Sequence, residues 1–177
     1  MYEYGGLEET STFYASTGLT IYKMFDSKIV AVPGQKKKIT VEEALSEKQF
    51  AKIYLMIGIN DIAHHLSTDS IVKNITKIIR KIKKETPSTQ LYIQSLLPTN
   101  DSFERFKTIM GKTPQIIEIN QQLEELAPIE KYTYIDLFPH LTTPGTTVLD
   151  PQYTNDGLHL LGDGYLVWKD VLLPYLQ

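Results

Sequence analysis

The chain predicts an α/β protein, a three-layer α/β/α sandwich around a mostly parallel sheet. Three observations predict it. Short apolar runs rich in β-branched and aromatic residues alternate with stretches of helical periodicity along the 177 residues, the pattern of repeated strand–helix units. The run Ile53–Ile59 is almost wholly apolar, as a strand covered on both faces must be. From Thr68 to Glu85, Ile71, Val72, Ile75, Ile78, Ile79 and Ile82 recur at helical spacing, while Lys73, Lys77, Lys81 and Lys84 fall largely outside that stripe.

Taken in order, Thr12–Ser16 reads as a strand, with Gly18 behind it and a helix over Leu19–Phe25. Lys28–Val32 is a short edge strand stopped by Pro33-Gly34. Thr40-Val41-Glu42-Glu43 has the spacing of a capping box, so a helix spans Val41–Glu47. The strand Ile53–Ile59 leads into Asn60-Asp61, and Pro87 ends the helix Thr68–Glu85. Leu91–Leu97 is the next strand. Thr113-Pro114 opens a helix with proline where its missing N–H costs little, and Pro128 closes it at Ala127. Tyr132–Leu137 is the last strand and Gly162–Leu176 the last helix.

Composition bounds the function. A chain of 177 residues, 42% apolar and 22% charged, suits one soluble globular domain over residues 1–177. A net charge of −3 gives no whole-molecule attraction to nucleic acid. The absence of cysteine removes disulfides, thiolate metal sites and thiol nucleophiles. No apolar run approaches the roughly 20 residues of a membrane span. The text from Met1 to Glu9 lacks the regions of a signal peptide, and the compartment, cytoplasmic or secreted, is left open.

Two short motifs carry chemistry. In Tyr153-Thr154-Asn155-Asp156-Gly157-Leu158-His159-Leu160 an acid and an imidazole stand three residues apart. An Asp that orients a His, and a His that takes a hydroxyl proton, form the base half of a hydrolase triad. Ile57-Gly58-Ile59-Asn60-Asp61 comes after a strand, where an uncharged carboxamide offers N–H donors. Gly18 and Asn60 both lie past strand ends, and Asp156 and His159 lie in the loop after the last strand, so all four map to the carboxyl edge of the sheet, where α/β sites gather. Each has a plainer reading: Gly18 as a turn, Asn60 or Asp61 as a helix cap, Asp156-Gly157 as a turn with His159 on the surface.

Gly-x-Asn-Asp and Asp-Gly-x-His, with Gly18 between them and the N-terminus and Gly164-Tyr165 behind, resemble the sequence blocks of the SGNH (GDSL-type) esterase and lipase superfamily, whose sheet is flavodoxin-like. The resemblance runs from Tyr2 to Trp168. It implies a serine-type carboxylic ester hydrolase without a metal or cofactor, with His159 as general base, Asp156 as its partner, and Gly18 and Asn60 as oxyanion-hole donors. The implied partner is a small ester, an acylated carbohydrate or lipid, and not nucleic acid.

The first block of that family, Gly-Asp-Ser with the nucleophile, does not occur in the chain. Tyr2-Glu3-Tyr4-Gly5-Gly6-Leu7 resembles the stretch a few residues downstream of that block. The expectation is an N-terminally truncated domain whose first central strand is missing and whose His159 has no hydroxyl to activate. Ser16 is a poor substitute, because it reads as a strand residue. In the family's strand order 2-1-3-4-5, the loss leaves a slot of roughly 10 Å between the strands before Gly18 and before Gly58. It removes some ten hydrogen bonds of about 1 kcal/mol each, against a total stability of about 5–15 kcal/mol. The expected consequence is a rearranged N-terminal region or self-association through the incomplete sheet.

Two rival readings remain at this level. One is a non-catalytic ligand-binding member of the same fold. The other is a flavodoxin-like nucleotide or phosphate binder using Ser16-Thr17-Gly18-Leu19-Thr20. A metal at His64, His65, Asp61 and Asp69 is disfavoured, because adjacent histidines seldom converge on one ion.

Overall fold

The computed structural model describes Leu7, residues 11–32, Gly34 and residues 36–176. Two strands, β1 (Lys28–Ala31) and β2 (Lys38–Thr40), form an antiparallel pair. Thr40 ends β2 and caps the next helix, α1 (Val41–Glu47). Its hydroxyl accepts from the Glu43 amide at 3.1 Å and the Glu43 carboxylate accepts from the Thr40 amide at 2.7 Å. The remaining elements are β3 (Lys52–Leu55), α2 (Ile59–Ala63), α3 (Thr68–Glu85), β4 (Gln90–Gln94), α4 (Thr113–Glu130), β5 (Thr133–Ile135) and α5 (Gly162–Leu176).

The main sheet has the order β3-β4-β5 and is parallel throughout, with Lys52 opposite Gln90 and Tyr92 opposite Thr133. The carboxyl ends of all three strands therefore lie at one edge. Residues alternate across the sheet. Leu91 and Ile93 point into the main core with the isoleucines of α3 and with Ile116, Ile119 and Leu123 of α4. Tyr92 points the other way, into a smaller cluster with Ile135 and Leu172 of α5. Tyr54 stacks on Tyr92 with ring centroids 4.7 Å apart. Helices thus cover both faces, and the three-layer α/β/α expectation holds. Five α3 isoleucines are at most 4% exposed, each contributing about 1.5–3 kcal/mol by burial.

The strands are shorter than the apolar runs suggested. β3 stops at Leu55 and the chain turns into α2, whose N-cap is Gly58, not Asn60 or Asp61. β4 stops at Gln94. Beyond it, Asn120 of α4 replaces a neighbouring strand: its carboxamide donates to the Leu96 carbonyl at 2.9 Å and accepts from the Leu96 amide at 2.8 Å. α4 runs past Pro128 to Glu130, and Lys83 of α3 donates to the Glu130 and Lys131 carbonyls that close it. A cation on the last carbonyls of a helix satisfies acceptors with no intrahelical partner.

The N-terminal expectation needs correction. Residues 12–16 form no strand, and only a 3₁₀ turn, Ile21–Lys23, stands where a helix over Leu19–Phe25 was expected. The reason is the lack of a ladder partner. Thr12, Phe13, Ala15 and Ser16 are exposed, and Tyr14 meets Phe50 edge-on. Among the described residues, no strand lies against the edge of β3 away from β4. Among the described residues, the expected slot has no second strand to bound it. Tyr2–Gly6 lies outside the described residues.

Candidate active site

Asp156 and His159 meet as the motif requires. The Asp156 Oδ2 lies 2.8 Å from His159 Nδ1, and Asp156 Oδ1 accepts from the Leu158 and His159 amides at 2.9 and 2.8 Å. One carboxylate therefore fixes both the backbone and the ring of the histidine. Burial pushes the Asp156 carboxyl up, but the His159 amide, the His159 ring and the Leu158 amide outweigh it and bring the pKa down to about 2. The His159 side chain is 67% exposed. Its Nε2 makes no hydrogen bond among the described residues, and the ring of Phe106 stands edge-on to it at 5.3 Å.

The loop that carries this pair is tied to the sheet. Thr154 Oγ1 accepts from the Gly157 amide at 2.9 Å, and Thr154 bridges Leu160 across the base of the loop. The Asn100 amide, six residues past β4, donates to the Gly157 carbonyl at 2.8 Å. Its side chain donates to the Leu149 carbonyl at 2.9 Å, and Leu149 donates to Thr99. Gly157 has φ +82°, and a Cβ there would lie 2.3 Å from the Asn100 carbonyl oxygen. Only glycine allows both the dihedral and the approach.

The two oxyanion candidates are linked through Leu19. Gly18 (φ +69°) lies in a turn closed by the Leu19 amide donating to Ser16 O at 3.2 Å. Asn60, half-buried on α2, donates from Nδ2 to the Leu19 carbonyl at 2.9 Å. The Asn60 amide nitrogen has a second N–H to offer. Each candidate pair is thus assembled at the carboxyl edge of the sheet, Asn60 beyond β3 and the Asp156 loop against the segment beyond β4.

Comparison with known proteins places the chain. The family model of the GDSL-like Lipase/Acylhydrolase family matches residues 17–167. The chain belongs to that family. A Streptococcus pneumoniae structure described as a platelet activating factor superposes with a TM-score of 0.75 at 26% identity, covering 99% of this chain and 79% of the other. A GDSL-like lipase from Bacteroides thetaiotaomicron gives 0.67 at 21% identity, over 89% and 71%. A curated Escherichia coli protein, N-acylneuraminate cytidylyltransferase, is 23% identical over 126 residues, and the match spans 71% of this chain but 28% of that protein. The superfamily expected from Gly18, Asn60, Asp156 and His159 is therefore the family found.

Sequence reasoning missed Asn100, Thr154 and Phe106. Leu97-Pro98-Thr99-Asn100 did carry a signal: a proline and two polar residues directly after an apolar run, at the edge where sites gather.

Proposed function

We propose that this domain hydrolyses a carboxylic ester by a serine acyl-enzyme route, the finer activity within its hydrolase family. The 2.8 Å contact between His159 Nδ1 and Asp156 Oδ2 carries the proposal. It orients the imidazole so that Nε2 accepts a hydroxyl proton and returns it to the leaving alcohol. On this reading the Gly18 N–H and the Asn60 carboxamide stabilise the oxyanion. The substrate is a short acyl ester of a carbohydrate, lipid or similar alcohol.

No Gly-Asp-Ser occurs within the 177 residues, which favours a second reading. On that reading the protein is a non-catalytic, ligand-binding member of the same fold, which binds the ester without turning it over. Hydrolysis of p-nitrophenyl acetate by this chain, and by a version extended upstream through a Gly-Asp-Ser block, decides between them. The expected result is activity in the extended form alone, abolished by His159→Ala. Activity of the short chain that vanishes with Ser16→Ala overturns the account of the nucleophile. Activity of the extended form that survives His159→Ala overturns the esterase reading.

A further inference from the structure

Asp61, next to Asn60 in Gly58-Ile59-Asn60-Asp61, has no part in the proposed chemistry, and it is 1% exposed. A buried carboxylate is costly unless it is hydrogen-bonded. Its partner lies 40 residues away. The Ile21 amide donates to both oxygens, at 3.2 Å to Oδ1 and 3.1 Å to Oδ2.

The local geometry explains the contact. Ile21 begins the 3₁₀ turn Ile21–Lys23, so its N–H has no partner within that turn, and Thr20 makes no side-chain cap. Asp61 caps it from outside. Thr20 is extended, with φ −104° and ψ 162°. In an extended segment the carbonyl of one residue and the amide two residues on point to the same side. The Leu19 carbonyl and the Ile21 amide are such a pair. Asn60 donates to the first and Asp61 accepts from the second. Two consecutive side chains of α2 thus do for the Gly18 segment what a neighbouring strand would do.

We propose that Asp61 is a positioning residue that holds the Gly18 turn in register with Asn60, so that both donors address one oxyanion. This rests on the esterase reading for its consequence, but not for its geometry. Leu19 and Ile21 anchor the far side of the Gly18 turn in the main core, but the turn itself stands outside it. Gly18 is exposed, a Cβ there would meet nothing within 4 Å, and residues 12–16 lie in no ladder. Burial raises the Asp61 carboxyl, with the Ile21 amide, its own amide and His64 pulling the other way.

The test compares the full chain with Asp61→Asn and Asp61→Ala in 1H–15N spectra, with Gly18, Ile21 and the Asn60 carboxamide assigned. Asp61→Asn keeps one acceptor oxygen, and Asp61→Ala keeps none. In Asp61→Ala the Ile21, Gly18 and Asn60 signals are expected to shift together, while Gly157, Leu158 and His159 stay in place. Asp61→Asn is expected to restore Gly18 and Asn60. If Asp61→Ala does not fold, Asp61→Ser, too short to reach the Ile21 amide, replaces it. Gly18 and Asn60 signals that stay in place in a folded variant without the acceptor overturn the proposal, whatever happens to the melting temperature.

Turnover of p-nitrophenyl acetate by the upstream-extended form adds a kinetic signature. Removing the acceptor is expected to lower kcat by about 100-fold, the cost of misplacing a donor by about 1 Å, with KM nearly unchanged. A change in KM alone overturns the proposal. An extended form with no turnover in any variant counts against the esterase reading, and the spectra then decide the role of Asp61.

Discussion

Asp156 and Asp61 are both buried carboxylates that accept backbone N–H groups, yet their acidities move in opposite directions. Asp156 collects the Leu158 and His159 amides and the His159 ring, all from its own loop. These outweigh burial and bring it down to about 2. Asp61 has the shared Ile21 amide and its own amide, and burial prevails. The contrast extends to the two halves of the site. The base half is closed within residues 154–160 and then clamped by Asn100. The oxyanion half is an exposed turn held from a distance by Asn60 and Asp61. Local hydrogen bonds make the first robust, and the second depends on tertiary contacts.

Kinetics would test this contrast most severely. In the upstream-extended form, Asp156→Asn is expected to lower kcat by about 10⁴-fold, because the carboxamide no longer enforces the histidine tautomer. Asn60→Ala is expected to cost about 10²- to 10³-fold, the loss of one oxyanion donor. Measuring kcat for both against wild type checks the order. A larger loss for Asn60→Ala would reverse the ranking of the two halves.

The two glycines sharpen it in stability. Gly157 and Gly18 share a positive φ, +82° and +69°. Gly157→Ala puts a Cβ 2.3 Å from the Asn100 carbonyl oxygen, and the expected loss is about 3 kcal/mol or more from strain and clash. Gly18→Ala meets open space, so only the backbone strain of about 1 kcal/mol is expected. Denaturant titration of both variants measures the difference. Equal losses would show that the Asn100 clamp does not distinguish the halves.

Acid separates the carboxylates. Asp156 falls from an ordinary value of 3.8 to about 2 on folding. Its contribution is therefore complete above about pH 4 and is lost as pH falls toward 2. The folded-state value of Asp61 is raised, so its contribution has the opposite sign: it favours folding at low pH and is lost as pH rises through that value. The acid limb of the stability curve is expected to flatten in Asp156→Asn, and the decline that Asp61 adds above the ordinary carboxylate value of 3.8 is expected to vanish in Asp61→Asn. The smallest expected effect is concentration-dependent association through the edge of β3 away from β4, which no described strand covers. Light scattering after size exclusion checks it, and a monomer at every concentration would remove that proposal.

Residue order alone dictated the elements whose signals are local. The Thr40–Glu43 capping box, the isoleucine stripe of α3 and the three-residue spacing of Asp156 and His159 all formed as read, because their partners lie within a turn or two of chain. Strand lengths were not legible. An apolar run shows that residues are buried, but the ladder ends where neighbouring strands or Asn120 stop supplying partners. The same physics erased the strand expected at 12–16. Folding in three dimensions selected which distant groups meet: Asn100 with Gly157, Asn60 with Leu19, and Asp61 with Ile21. A hydrogen bond across 40 residues leaves no periodicity in the sequence. Its donor and acceptor are chosen by how helices pack on the sheet, and only the folded chain brings them within reach.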